Sequence, residues 1–437
     1  MHSLIWDEAQ ILAGKDPDFH RRDLWEAIEH GAFPEYELAV QLLPEDDKDK
    51  LPFDVLDPTK IWPEDKVPLQ RVGKLTLDRN PDNFFAETEE VAYHPGHVVS
   101  GIDVSDDPLL QGRLFSYLDT QMNRFGTPNF AQLPINQPRS PVNNFQQDGI
   151  MRYTNRPGPA NYGPNSLNGT PKEAAADKGG YVHYPSRVDG TKVRERSNSF
   201  GDHYSQASLF YNSLTLTEQE HIRQALQFEL AKVSKKDTQQ RMITHLAKVD
   251  GQLAKLIGQH LGLKAPEGED STKAGKAKGL SQEEGPKDSI KTRKIALLAA
   301  EGVNGAELVR MEDRLKQLGA TAEVIAPHLG TLQSLSGDTL RIDKTFATAD
   351  SAMYDAVYIG GGQDSVGQLA GDYAARRFVR QAYDHGKALA AAQEGAELLR
   401  AVGIDSSPGV IVNKKGAEEE EAFIQAISRH RHWNRPK

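Results

Sequence analysis

The stretch Arg113-Leu114-Phe115-Ser116-Tyr117-Leu118-Asp119-Thr120-Gln121 decides how this chain is read. Arg113 precedes Tyr117 by four residues. A helix through the segment would therefore set guanidinium and phenol on one face. A free phenol has a pKa of about 10 and is a poor anionic ligand at neutral pH. A neighbouring cation favours the phenolate. The helix is expected to break soon after, at Gly126-Thr127-Pro128. The bland alternative is an amphipathic helix with one buried tyrosine and a satisfied arginine. The sequence on both sides decides between the two.

Upstream lie Asp18-Phe19-His20-Arg21-Arg22-Asp23-Leu24-Trp25-Glu26-Ala27-Ile28, Asp57-Pro58-Thr59-Lys60-Ile61-Trp62-Pro63, Val72-Gly73-Lys74-Leu75 and Arg79-Asn80-Pro81-Asp82-Asn83-Phe84-Phe85-Ala86-Glu87. Downstream lie Asn143-Asn144-Phe145-Gln146-Gln147-Asp148-Gly149 and Ala160-Asn161-Tyr162-Gly163-Pro164-Asn165-Ser166. With these flanks the chain resembles the catalases, and most closely their large-subunit form, from about residue 3 to residue 437. The central segment resembles that family's proximal haem signature, Arg-x-Phe-x-Tyr-x-Asp-(Ser/Thr)-(Gln/His), at every required position.

The resemblance implies haem as cofactor, either haem b or a modified haem, with Tyr117 as the axial ligand of its iron. It implies that Arg113 contacts the phenolate and that Arg124 pairs with a haem propionate. Asp107 matches the acid of the family's proximal Asp–His–Arg relay. Its position before Pro108 also reads as a helix N-cap, and both roles can coexist. The implied activity is decomposition of hydrogen peroxide to water and oxygen, a response to oxidative stress. The implied assembly is a homotetramer and the implied location cytoplasmic.

Catalases also carry a distal histidine, in a Glu-Arg-x-x-His motif, and a distal asparagine. No such motif occurs here: Glu195-Arg196 is followed by Ser197-Asn198-Ser199. The opening Ser3-Leu4-Ile5-Trp6-Asp7-Glu8 matches the middle of the family's barrel domain. The expectation is an N-terminally truncated catalase without distal catalytic residues of its own, which leaves the relay without its histidine. The alternative is a non-catalytic fragment that binds haem weakly or only assembles with intact subunits.

Composition narrows the classes. There are no cysteines among the 437 residues, so disulfides, thiolate metal sites and cysteine nucleophiles are excluded. A formal charge of −10 argues against nucleic acid as a partner. No apolar run of 18 or more residues predicts a membrane span, and Met1 to Asp7 does not read as a signal peptide. Asn168-Gly169-Thr170 is a glycosylation sequon, which requires a secretory route to matter.

The expected fold class is α+β. A partial catalase β-barrel, a wrapping segment and a helical domain precede an α/β flavodoxin-like, class I glutamine-amidotransferase-like C-terminal domain. Residues 1–126 are read as the partial barrel with the proximal helix, and 69–77 alternate like a strand. Residues 127–205, broken by Pro128, Pro134, Pro138, Pro157, Pro159 and Pro164, read as a wrapping segment. Residues 206–263 form the helical domain. There Thr217 and Glu220 fit a capping box. Ile222, Leu226, Leu230 and Val233 mark one apolar face, and Met242, Leu246, Val249, Leu253 and Leu256 a second. Residues 264–292 are polar and read as a linker. From 293 to 437, strands at 294–300, 322–326, 354–359 and 388–392 alternate with helices near 305–318 and 370–385, which implies a doubly wound parallel sheet.

In that last region Gly360-Gly361-Gly362 lacks a phosphate-loop pattern and reads as a tight strand-to-helix turn. Gln393 and Glu394 stand where amidotransferase relatives place cysteine and histidine, and Asn304 stands near the place of their acidic partner. A glutamine amide is no activated nucleophile. A small-molecule hydrolase or chaperone role for this domain is therefore the weaker reading. His94 and His97 are too closely spaced, and too isolated, to predict a metal site.

Overall fold

The computed structural model describes residues 4–139, 146–167, 172–196, 198–412 and 414–436. Asn143-Asn144-Phe145 and the sequon Asn168-Gly169-Thr170 lie outside the described residues. Two compact units emerge. One holds residues 1–37, 74–78 and 207–437, and the other holds 38–73 and 79–206.

The chain begins with helices α1 (Trp6–Lys15) and α2 (Phe19–Glu29). Strands β1 (Glu35–Gln41) and β2 (Leu69–Thr76) follow and pair as a two-stranded ribbon. The strand expected at 69–77 is thus present, but the expected partial barrel is only this ribbon among the described residues. Seven of the eight β2 residues are exposed. Two strands can neither close nor bury a face.

Helix α3 (Pro108–Phe125) carries the Arg113–Gln121 segment. From 127 to about 204 the described chain has no α-helix or strand, only short 3-10 turns, as its prolines require. Helices α4 (Ser205–Ser213), α5 (Leu216–Ala231), α6 (Lys236–Val249) and α7 (Gly251–Leu261) build the helical segment. Ile243, Leu246, Leu253, Ala254 and Ile257 form its core, with Leu226 and Leu230 of α5 packed against them.

Two local expectations change here. The capping box forms two residues earlier than expected. Glu218 N donates to Thr215 Oγ1 at 3.2 Å, and Thr215 N donates to Glu218 Oε2 at 2.9 Å. Both Thr-x-x-Glu frames exist in the sequence, and Glu220 instead pairs with Arg223. The second apolar face is also not one helix. Asp250 ends α6 and accepts from Leu253 N at 2.8 Å to start α7.

The polar segment 264–292 is not a free spacer. Ser271 Oγ donates to Asp250 Oδ2 at 2.7 Å, Gln282 N to Glu218 Oε1 at 2.8 Å, and Thr215 Oγ1 to Glu283 Oε2 at 2.5 Å. Its composition hides this, because the partners are backbone and side-chain polar atoms rather than apolar surface.

The remaining elements are β3 (Lys294–Leu298), α8 (Gly305–Gln317), β4 (Thr321–Ala326), β5 (Thr331–Gln333), β6 (Thr339–Arg341), β7 (Lys344–Thr345), β8 (Ala356–Ile359), α9 (Gln363–Gly371), α10 (Tyr373–Asp384), β9 (Ala388–Ala391), α11 (Ala396–Ala401), β10 (Val410–Ile411) and α12 (Ala417–Ser428). Six strands form an all-parallel sheet in the order β10-β9-β8-β3-β4-β7. Both faces are covered, and the two-residue period of a strand divides the core. Ile295 and Leu297 pack with Leu308, Met311 and Leu315 of α8 and Phe423 and Ile427 of α12. Ala296 and Leu298 pack with Val366, Phe378, Val379 and Leu398 from α9, α10 and α11. The helix expected at 370–385 is split at Asp372, whose side chain caps α10 by accepting from Ala374 N at 2.6 Å.

Residues 1–37 group with the helical and α/β segments. Within that unit Glu8 of α1 meets Lys387 Nζ at 2.8 Å with both side chains fully buried. No helix of the described residues is long and apolar enough to cross a membrane.

Candidate functional site

Helix α3 is delimited by its own sequence. Asp107 caps it, its Oδ1 accepting from Leu110 N at 2.9 Å, and Pro108 stands at the first turn where a missing N–H costs nothing. Gly126 ends it in the left-handed region, at φ 66°. Asp107 Oδ2 also accepts from Ser105 Oγ at 3.1 Å. The cap role is therefore the one its geometry displays.

Within α3 the four-residue spacing acts as expected. Arg113 Nη2 donates to Tyr117 Oη at 3.3 Å, and its guanidinium lies 5.0 Å from the Tyr117 ring centroid. Hydrogen bonding to Tyr117 holds the Arg113 guanidinium above its ordinary value. Tyr93 packs edge-on against the Tyr117 ring at 5.5 Å. Gln121, buried at the next turn of the helix, fixes Tyr93 in turn: its Nε2 donates to the Tyr93 carbonyl at 2.9 Å.

Arg124 reaches across to the 89–91 backbone. Nη1 donates to the Glu89 carbonyl at 2.6 Å, and Nη2 donates to the Val91 carbonyl at 2.6 Å and to Gln121 Oε1 at 2.9 Å. Its fork thus ties α3 to the 89–93 segment that carries Tyr93. Sequence reading missed Tyr93 and Gln121. Gln121 was visible as the last signature position, one helical turn after Tyr117, whereas Tyr93 had no local signal.

His94 and His97 stack ring on ring at 4.7 Å. His94 Nδ1 accepts from Gly96 N at 2.9 Å. A Cβ on Gly96 would stand 2.8 Å from His94 Cε1 and 3.3 Å from Leu114 Cδ2, so a larger residue there would push the His94 ring aside. Among the described residues no group of three or more His, Cys, Asp or Glu is arranged to hold a metal.

The α/β segment has a second polar group. Gly362, at φ 104°, turns the chain from β8 into α9, and a Cβ there would meet the Gly302 carbonyl at 2.3 Å. This is the tight turn expected of Gly360-Gly361-Gly362. Asn304 caps α8, and its Nδ2 donates to Glu307 Oε2 at 3.2 Å. Glu307 and Glu394 both approach Gly361, within 3.0 and 2.9 Å of where its Cβ would lie. Burial raises the Glu307 carboxyl, and Glu394 adds to the rise. Gln393 is exposed after β9, without any nucleophile chemistry. The sequence did not point to Glu307 or Glu419, which the fold brings together.

Comparison with known proteins gives these two regions a common setting. A profile described as "Catalase" matches residues 1–169, "Catalase-related immune-responsive" matches 197–261, and "C-terminal domain found in long catalases" matches 291–437. Catalase-2 of Bacillus subtilis is 49% identical over all of this chain and 64% of its own length. A catalase of Alkalihalophilus pseudofirmus is 48% identical, again over all of this chain and 64% of its length. Catalase HPII of Pseudomonas putida is 44% identical over all of this chain and 62% of its length. The chain belongs to the catalase family. Within that family it belongs to the large-subunit form, because the long-catalase C-terminal domain follows in the same polypeptide. It spans somewhat under two thirds of the length of these relatives.

Proposed function

We propose that this chain contributes the proximal side of a haem site to the decomposition of hydrogen peroxide into water and oxygen. The observation that carries the reading is the Arg113–Tyr117 pair on α3, an oxygen donor with a guanidinium hydrogen-bonded to it at 3.3 Å. The donor set fits the group. A phenol oxygen is able to bind ferric iron as phenolate, and the adjacent cation favours that form.

Tyr117 would hold the iron, whose redox couple allows one peroxide to be reduced and a second oxidised. Arg113 keeps a donor on the phenol oxygen and so lowers the cost of its negative charge. Tyr93 and Gln121 fix the ring's orientation, and Arg124 fastens the 89–93 segment that carries Tyr93. Arg124 spends three of its five N–H donors on the Glu89 and Val91 carbonyls and on Gln121, which leaves others for a propionate. Asp107 sets the start of the helix. Proton transfer by a distal histidine is not assigned to any residue here, because the 437 residues contain no Glu-Arg-x-x-His motif.

The C-terminal sheet, with β4, β3, β8, β9 and β10 in sequence, supports a flavodoxin-like and amidotransferase-like reading in which the hydrolytic residues are replaced. We further propose a cytoplasmic homotetramer. Its support is the long irregular segment, on which Ile150, Tyr153, Tyr162, Tyr184 and Val188 are exposed apolar residues suited to contact with another copy.

The test is titration of the 437-residue chain with ferric haem, followed by gel filtration and an oxygen electrode. Retained haem that is lost in Tyr117→Phe, with little oxygen evolution, supports the reading. General acid–base catalysis typically contributes about 10²–10⁴-fold, which the chain alone should lack. Equal retention in both proteins, or rapid oxygen evolution from either, contradicts it.

A further inference from the structure

A carboxylate-binding socket lies in the α/β domain, away from the proximal helix. Lys387 precedes β9 and is fully buried. Two of its donors go to the carbonyls of Ser351 and Tyr354, at 2.6 and 2.7 Å. The third points to Glu8 Oε1 at 2.8 Å. Arg431 Nη2 reaches the same oxygen at 3.2 Å. The other carboxylate oxygen of Glu8 accepts from Ile5 N at 3.2 Å, at the start of α1. Beside it, His385 Nε2 meets Asp7 Oδ2 at 2.8 Å, while His385 Nδ1 lies 4.0 Å from Glu8 Oε1.

The arrangement is that of a ligand site rather than a surface ion pair. Two cations converge on one buried oxygen, and the lysine's remaining donors are saturated by carbonyls that belong to the α/β domain itself. Removing one partner of such a pair leaves the other charge buried and uncompensated. The occupant is an acidic side chain on a helix remote in sequence. Trp6, next to it, adds a second anchor by donating from Nε1 to Glu229 Oε1 of α5 at 2.8 Å.

We propose that the α/β domain carries a carboxylate-recognition site, formed by Lys387 and Arg431, whose ligand is Glu8, and that holding α1 through this site is a function of the domain. It binds by charge and hydrogen bonds, so it has no need of the nucleophile missing at Gln393. The site would accept another small carboxylate wherever Glu8 is withdrawn.

The experiment uses the full 437-residue chain and two readouts. In Glu8→Ala the socket is emptied, and thermal unfolding is followed with sodium acetate or sodium formate against sodium chloride at equal ionic strength. A saturable rise in unfolding temperature with acetate or formate, absent in the Glu8→Ala/Lys387→Met double variant, is expected. Equal effects of acetate and chloride overturn the proposal. Should Glu8→Ala fail to fold, Glu8→Gln keeps the shape and hydrogen exchange gives the answer. Exchange of the amides in 6–15 should quicken by at least about 30-fold while β3, β8 and β9 keep their protection. Unchanged exchange in 6–15, or equal loss of protection throughout the sheet, contradicts a site devoted to α1.

Discussion

At Tyr117 the decisive chemistry is the hydrogen bond from Arg113, and the residue scale is where its consequences are measured. Arg113→Ala leaves the phenol in place but removes the cation that favours its anion. A haem-loaded Arg113→Ala chain should still bind through Tyr117 but hold haem less tightly than the parent. Transfer of haem to a competing haem-binding protein reads the loss, and unchanged retention would count against the pairing. A second residue-scale prediction lies at Glu419. Burial, with the charge of Glu307 added, pushes its carboxyl up to about 7. A folded-state value above the ordinary 4.5 means the folded chain holds more protons between those pH values. The stability from this group is therefore complete below about 4.5 and lost as pH rises through 7, on the order of 3 kcal/mol in total. Glu419→Gln should flatten that part of the stability curve in urea titrations at pH 5 and pH 8. An equal pH dependence in parent and variant would show that another group is responsible.

Among elements, α3 has both ends written in sequence, and the prediction follows from its cap. Asp107→Ala removes the acceptor for Leu110 N and should cost about 1 kcal/mol. Asp107→Ser should recover most of that loss. If serine gives no recovery, the residue acts by charge, as a relay acid would. How much was legible also differs by element. β3 and β9 were readable because continuous apolar runs mark strands buried on both faces. β5, β6, β7 and β10 are two or three residues long and carry no period to read. The capping frame was ambiguous because Thr215 and Thr217 each precede a glutamate by three residues, and local sequence cannot rank them. The Arg113–Tyr117 pair was legible through helical spacing alone. Tyr93 was not, because the fold brings it to the ring from another segment.

For the whole molecule, the Glu8–Lys387 contact was invisible in sequence because its partners lie at opposite ends of the chain and neither end has a motif. Its burial changes what is expected of the α/β domain by itself. The two core clusters that sandwich the sheet draw only on residues from 290 to 427, so a 290–437 piece should fold. Without Glu8 it keeps Lys387 and Arg431 uncompensated. It should therefore unfold at a lower temperature than the same sheet in the full chain. Calorimetry of both proteins compares them, and Lys387→Met in the piece should raise its stability. A piece as stable as the full chain would mean that the buried charges are compensated by solvent.

The central claim is that Tyr117 is the iron ligand of a catalase-type proximal site. The most direct measurement is the electronic and magnetic spectrum of the ferric haem complex of the chain and of Tyr117→Phe. The parent should show a high-spin ferric, phenolate-ligated signature that disappears in the variant. The same signature persisting in Tyr117→Phe would mean that another residue binds the iron and that the nine-residue segment has been misread.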